Sequence, residues 1–253
     1  MSGEAASRTE IDLPGVQDEL LAELRATGKP IVLVLFTGRP LALGPVIENV
    51  DAILLAWLPG TMGGPAIADL LTGAFNPSGK LPVTFPRNVG QIPIFYNHKA
   101  TGRPFDPAKG PDKFKSQYLD APNTPEFPFG FGLSYTTFAY LAPKISTARL
   151  TPNGEQRISI TVSNTGSREG AEIAQLYVRD VAGSVTRPVR ELKGFQKVAL
   201  KPGESREVTF TLTPEALAFH HADLSFAPEA GRFEVFVGGD STAPKIGEFE
   251  YAD

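Results

Sequence analysis

Residues 51–86 read DAILLAWLPGTMGGPAIADLLTGAFNPSGKLPVTFP, and the fold of the front of the chain turns on them. The run 52–58 is short and almost wholly apolar, the pattern of a strand buried on both faces. Pro59-Gly60 stops it. Gly63-Gly64 lets the backbone turn sharply, and Pro65 fits the first turn of a helix. Ile67, Leu70 and Leu71 fall on one helical face, Gly73 closes the helix, and Asn76-Pro77-Ser78-Gly79 is a turn. A short segment, 81–85, is then cut off by Pro86. A Gly-rich turn between strand and helix invites a phosphate, but this one lacks both the following Lys-Ser/Thr and the Gly-x-Gly-x-x-Gly spacing. A plain packing turn is the favoured reading.

Towards the N-terminus, Asp12-Leu13-Pro14 reads as a helix start, with Val16, Leu20, Leu21 and Leu24 at helical spacing and Gly28 as the stop. The run 30–36, PIVLVLF, is a second strand of the doubly buried kind, broken by Gly38-Arg39-Pro40. Residues 45–50 form a short helix leading back to 52. Helix, strand, helix, strand, helix is the grammar of a parallel α/β sheet. Residues 1–140 hold only two strong strands, so one sheet edge is expected to be open and the front half marginally stable.

Towards the C-terminus, regular structure fades over 87–128, a loop of about forty residues and far beyond the usual connection length. Its end, Phe127-Pro128-Phe129-Gly130-Phe131-Gly132, reads as an aromatic wedge into a neighbouring surface. After about Tyr140 the period becomes two: Ile158, Ile160 and Val162; Leu176 and Val178; Val208, Phe210 and Leu212; Phe233, Val235 and Val237. Turn signals at 164–166, 201–204 and 228–231 separate these strands. The spacing predicts an antiparallel β-sandwich that folds alone. No Cys pair exists to make it an antibody-type domain.

The chain has 253 residues, 42% of them apolar, a net charge of −4 and no Cys. Without a basic run, nucleic acid and anionic membrane are poor partners. Without Cys there is neither a disulfide framework nor a thiolate metal site. No apolar run approaches the ~20 residues of a membrane span, and no charged-then-apolar export segment is visible. No internal repeat is visible.

Four pieces carry a resemblance: 57–86, 31–40 (IVLVLFTGRP), 98–104 (HKATGRP) and 128–138 (PFGFGLSYTTF). Their order and spacing resemble the C-terminal part of glycoside hydrolase family 3, the β-glucosidase type and its bacterial periplasmic branch in particular. The resemblance implies an α/β plus all-β fold. A partial parallel α/β sandwich domain occupies 1–86, a long irregular loop and linker wraps the domains over 87–140, and a fibronectin type III-like β-sandwich occupies 141–253. Arg187-Pro188 and Leu192-Lys193-Gly194-Phe195 look like the usual text of that last domain.

Retaining glycoside hydrolysis needs two carboxyl groups about 5–5.5 Å apart, one attacking and one protonating the leaving oxygen. In the resembled family the nucleophile is an Asp on an N-terminal barrel and the acid/base a Glu on a loop of the α/β domain. Residues 4–14, EAASRTEIDLP, resemble the segment bearing that Glu. On that resemblance Glu4 is the acid/base candidate and Arg8 a candidate substrate-binding or loop-holding residue through its planar fork of donors. The other reading of Glu4 is a solvated carboxylate near a frayed terminus. Glu10 and Asp12 suit helix capping and dipole roles.

On the resemblance, this chain is the C-terminal part of a retaining exo-acting β-glucosidase acting on terminal β-D-glucosyl residues of a β-glucoside or oligosaccharide. It would need no cofactor. The nucleophile is absent from the chain, the N-terminal barrel domain is a missing partner, and the isolated chain is expected to be inactive. The full-length protein is expected to be periplasmic or secreted. The alternative is a non-catalytic carbohydrate- or protein-binding β-sandwich module.

Other chemistry is weaker. His98, His220 and His221 are the only histidines. Adjacent residues of a strand point to opposite faces, so 220 and 221 make no ligand pair and no metal site is expected. No Gly-x-Ser-x-Gly elbow supports a Ser–His–Asp arrangement, and Ser134 reads as turn chemistry. Trp57 suits core packing better than sugar stacking. Residues 113–120, KFKSQYLD, could border a sugar site or contact the barrel.

Overall fold

The computed structural model describes residues 4–100, 102–110 and 112–252. Thr101, inside the 98–104 piece, lies outside the described residues. The chain divides into two compact units, Met1–Phe75 with Val83–Ile94 and Tyr118–Phe127, and Asn76–Pro82 with Phe95–Gln117 and Pro128–Asp253.

The first unit holds α1 (Gln17–Ala26), β1 (Val32–Leu35), α2 (Gly44–Ile47), β2 (Ala52–Leu55) and α3 (Gly63–Thr72). The strands pair in parallel with Val32 opposite Ala52 and Leu35 opposite Leu55. Asp51 closes their entrance, its carboxylate accepting from the Ile31 amide at 2.8 Å. α1 starts later than 12–14 suggests, and its N-cap, Val16, makes no side-chain capping bond. The capping expected of Glu10 and Asp12 is therefore not found. Asp18 and Glu19 occupy the first turn and Arg25 the last, the placement the helix dipole favours.

α3 ends as its sequence requires: Gly73 sits left-handed at φ 76°. Gly63 and Gly64 belong to the first turn of the helix instead of preceding it. A Cβ on Gly63 would come within 2.7 Å of Pro59 Cβ, so this glycine permits a close approach.

The expectation of strands buried on both faces fails. Leu35 is the buried residue of β1, β2 has none, and Val32 is 51% exposed. α3 has no buried residue, and Leu71 of its apolar face is exposed. Apolar continuity records what a strand can bury; whether anything covers it is decided elsewhere. Elsewhere in this unit Ile11, Leu13, Leu41, Leu43 and Val46 are buried.

The stretch 87–128 is irregular yet tied down. Buried Gln91 is the hub within the first unit: its carbonyl accepts from the Arg87 amide at 2.7 Å, and its Nε2 donates to Pro122 O at 2.8 Å and Thr124 O at 3.2 Å. Arg87 pairs with Glu126 at 2.7 Å, and Phe85 bridges Phe127.

The second unit is a β-sandwich. β3 (Phe138–Ile145), β5 (Gln156–Asn164) and β8 (Ser205–Leu212) form one sheet in the order β3-β5-β8. The other has the order β4-β12-β11-β6-β7, from β4 (Arg149–Leu150), β6 (Gly170–Asp180), β7 (Glu191–Leu200), β11 (Gly231–Gly238) and β12 (Lys245–Tyr251). A one-turn helix, α4 (Pro214–Leu217), leads to a small hairpin of β9 (Phe219–His220) and β10 (Phe226–Ala227). Every alternating residue named from the sequence lies in one core: Ile158, Ile160, Val162, Leu176, Val178, Val208, Phe210, Leu212, Phe233, Val235 and Val237. Phe129 of the aromatic wedge stacks on Tyr96 at 4.5 Å between ring centres, beside Tyr177.

Candidate active site

Glu4 sits in an exposed turn whose next residue, Ala5, has φ 57°. A left-handed backbone at a residue with a Cβ is uncommon and costs of order 1 kcal/mol, so the segment that follows must hold it. That segment is docked on the stretch after β1. Arg39 Nη1 donates to Arg8 O at 2.6 Å, and the Ala42 amide donates to Ile11 O at 2.8 Å. Ile11 and Leu13 are buried on one side of this docking and Leu41 and Leu43 on the other.

The guanidinium of Arg8 turns to its own segment. Its Nη2 is 3.0 Å from Asp12 Oδ1 and its Nη1 3.3 Å from Asp12 O. Both side chains keep substantial exposure, so the pair is worth at most about 1 kcal/mol. Asp12 thus occupies Arg8 instead of capping α1. Thr37 clasps the base of the docking loop: its hydroxyl donates to Arg39 O at 2.8 Å and accepts from the Arg39 amide at 3.2 Å.

Trp57 follows β2 with φ 51° and is half-buried, its ring edge-on to Phe85 at 6.0 Å. Core contact is therefore present, on a strained backbone. Residues 37–39 and 57–60 leave the carboxyl ends of the parallel strands, where open α/β sheets place their ligands.

The remaining candidates stand apart from this loop. In the second unit, Lys80 Nζ lies 3.1 Å from Glu172 Oε1 and donates to Gly132 O at 3.0 Å, while Tyr140 OH donates to Glu172 at 2.9 Å. Burial, and then Glu172, push the Tyr140 phenol far above its ordinary value. These polar groups satisfy one another. Asp180 is buried with Arg187 Nε 3.4 Å away, and burial raises its carboxyl despite that cation. His221 lies 3.0 Å from Glu229 through Nδ1 and 3.0 Å from Ala227 O through Nε2, stacked on Phe219, while His220 is exposed. Among the described residues no group of three His, Asp or Glu side chains is placed to hold a metal. No helix among them is long and apolar enough to cross a membrane.

Arg39 is the contributor that residue-by-residue reading passed over. The Thr-Gly-Arg-Pro that ends β1 signals a break, and nothing in its spacing reveals a bond to a carbonyl 31 residues earlier.

The chain thus joins a small parallel α/β unit to a β-sandwich. Comparison with known proteins makes this specific. The chain belongs to glycosyl hydrolase family 3, with the profile of that family's C-terminal domain matching residues 1–135 and that of the fibronectin type III-like domain matching residues 172–241. It is 51% identical over 250 residues to a periplasmic β-glucosidase of Salmonella typhimurium, covering 99% of this chain and 32% of that protein. A β-xylosidase of Formosa agariphila is 44% identical over 96% of this chain and 33% of its own length. The crystal structure of a β-glucosidase from Listeria innocua in complex with isofagomine aligns at a TM-score of 0.95 and 43% identity, covering 99% of this chain and 35% of that one. The chain thus spans about a third of the length of the relatives it matches.

Proposed function

We propose that this chain is the C-terminal part of a retaining, exo-acting β-glucosidase that removes terminal β-D-glucosyl residues. Glu4 acts as the acid/base and Arg8 holds its loop, while an N-terminal barrel domain supplies the nucleophile. The observation that carries this reading is the 51% identity to a β-glucosidase across 99% of the chain, which includes the Glu4 segment. The exposed turn at Glu4, with Ala5 in a left-handed conformation, supports it by leaving the carboxyl group open to the glycosidic oxygen of a substrate. Protonation of that oxygen by a placed acid contributes on the order of 10²–10⁴-fold. The whole protein acts in the periplasm or outside the cell, as the name of the Salmonella relative suggests.

The test is the release of aglycone from an aryl β-glucoside. The 253-residue chain alone is expected to give none above a Glu4→Ala, Arg8→Ala control. The uninterrupted reading frame is expected to be active and to lose on the order of 10²-fold or more in Glu4→Ala. Turnover by the chain alone would sink the division of labour. Retention of the chain on insoluble polysaccharide, with no activity from the full frame, would favour a non-catalytic binding module. A parallel assay on an aryl β-xyloside separates the two activities named among the relatives.

A further inference from the structure

We propose that Arg39 is a positioning residue for the acid/base loop, an inference that rests on Glu4 being the acid. Three observations converge on it. Arg39 Nη1 meets Arg8 O at 2.6 Å, a short charge-assisted bond between a guanidinium and a backbone carbonyl four residues from Glu4. The Thr37 clasp fixes the backbone of Arg39 on both sides, through its N–H and its carbonyl. Ala5 holds a left-handed φ of 57° between the tether and the carboxylate, a conformation the chain relaxes from unless it is anchored downstream.

The second tether, Ala42 N to Ile11 O, sits farther along the segment and on the far side of Arg8 from Glu4. The Arg39 bond therefore lies closer to Glu4 along the chain than the Ala42 bond does. The other donor of the segment, Arg8 itself, spends its guanidinium on Asp12. A guanidinium suits the task because its charge does not titrate and its fork fixes direction as well as distance. The bond brings no proton to the substrate. Arg39 acts by limiting where Glu4 can go, and a displacement of about 1 Å at a catalytic group is enough to cost on the order of 10²-fold.

The experiment compares leaving groups in the full reading frame. A poor leaving group, such as the alkoxide of an alkyl β-glucoside, needs the proton from the acid; dinitrophenolate departs without it. For Arg39→Ala, kcat/KM on the alkyl glucoside is expected to fall on the order of 10- to 100-fold, and on the dinitrophenyl glucoside by less than about threefold. Arg39→Lys, which keeps a cationic donor, is expected to recover part of the loss. In the chain by itself, amide exchange over residues 4–12 is expected to quicken about tenfold in Arg39→Ala, with β1 unchanged.

Glu4→Ala run in parallel keeps the two ideas apart. If Glu4→Ala shows the leaving-group selectivity and Arg39→Ala loses activity equally on both substrates, or on neither, the positioning role is overturned while the acid/base reading stands. If Glu4→Ala itself shows no selectivity, the acid/base reading falls, and with it the catalytic meaning of the tether.

Discussion

The two units of this chain spend their apolar residues differently. In the sandwich, alternation is converted into burial almost without loss: Ile158, Val162, Leu176, Val235 and Val237 are all at or near 0% exposure. In the first unit the runs are more continuously apolar and bury less. Val16 and Leu20 at the start of α1, Val32 and Phe36 around β1, Leu58 and Met62 after β2, and Leu71 and Phe75 around the end of α3 are all exposed. A sandwich supplies both of its own faces, because each sheet is the lid of the other. A parallel sheet needs helices on both faces and strands on both flanks, and the described residues provide one strand pair. The comparison teaches that hydrophobic content measures a demand for cover, not its supply. It also places the proposed chemistry, Glu4 and its tether, in the unit with less of its own core.

The sharpest way to break this contrast is to truncate one side chain in each unit and compare. Phe233 is 1% exposed and stacks on Phe249 with ring centres 5.5 Å apart. Phe233→Ala is expected to cost about 3–5 kcal/mol through lost burial and an unfilled cavity. Leu71→Ala, on an exposed position of α3, is expected to stay within about 0.5 kcal/mol. Urea unfolding of the chain, followed by Phe233 and Leu71 variants at constant m-value, gives both numbers. Equal costs would mean that the first unit is covered as well as the sandwich.

The second prediction concerns polar burial inside the sandwich unit. Lys80 and Glu172 side chains are 13% and 8% exposed, and Tyr140 and Gly132 complete their hydrogen bonds. Lys80→Met leaves a buried carboxylate with a phenol as its remaining partner. The expected cost is about 3 kcal/mol, the low end for an orphaned buried charge because Tyr140 still donates. Adding Glu172→Gln is expected to recover part of it, since the two side chains share one network. If the double variant is as unstable as the sum of the singles, the network is not a unit. The first unit offers a foil in Arg8–Asp12, where removal of the exposed pair is expected to move stability by less than about 1 kcal/mol.

How far these features were legible follows the same line. The core strands of the sandwich could be read because a period of two, punctuated by turn residues, is a local signal. Other elements could not: three of the seven residues of β12, KIGEFEY, are charged, and β9 and β10 are two residues each. β1, β2 and α3 were legible as elements, and their exposure was not, because cover is a property of neighbours. At the candidate site, Glu4 and Arg8 were reached through the resemblance of residues 4–14. Arg39 was quoted as the end of a strand. Its bond spans two stretches whose only shared mark is an apolar alternation, at Ile11 and Leu13 and at Leu41 and Leu43, too short to be read as pairing.

The smallest expected effect is the acid limb of sandwich stability. Hydrogen bonds hold four of its carboxyls below their ordinary values: Glu204 chiefly through the Lys201 amide, Asp223 through Ser225, Glu229 through Ser184, and Glu248 through Lys245. A carboxyl held low in the native state contributes stability that is complete above its unfolded value, 4.5 for Glu and 3.8 for Asp, and is lost as the pH falls through the lower native value. Asp180 works in the opposite sense. Burial raises its carboxyl, so between that raised value and 3.8 the native state takes up a proton that the unfolded chain does not, and stability rises as the pH falls. The four together lower stability as the pH falls below about 4.5, and Asp180 opposes them. Asp223 and Glu248 are exposed and Glu204 and Glu229 half-buried, so all four remain open to solvent ions and added salt should flatten the limb through screening. Urea midpoints taken at low and high salt between pH 6 and 3 would measure it. A limb that salt leaves unchanged would rule out these four carboxyls as its source.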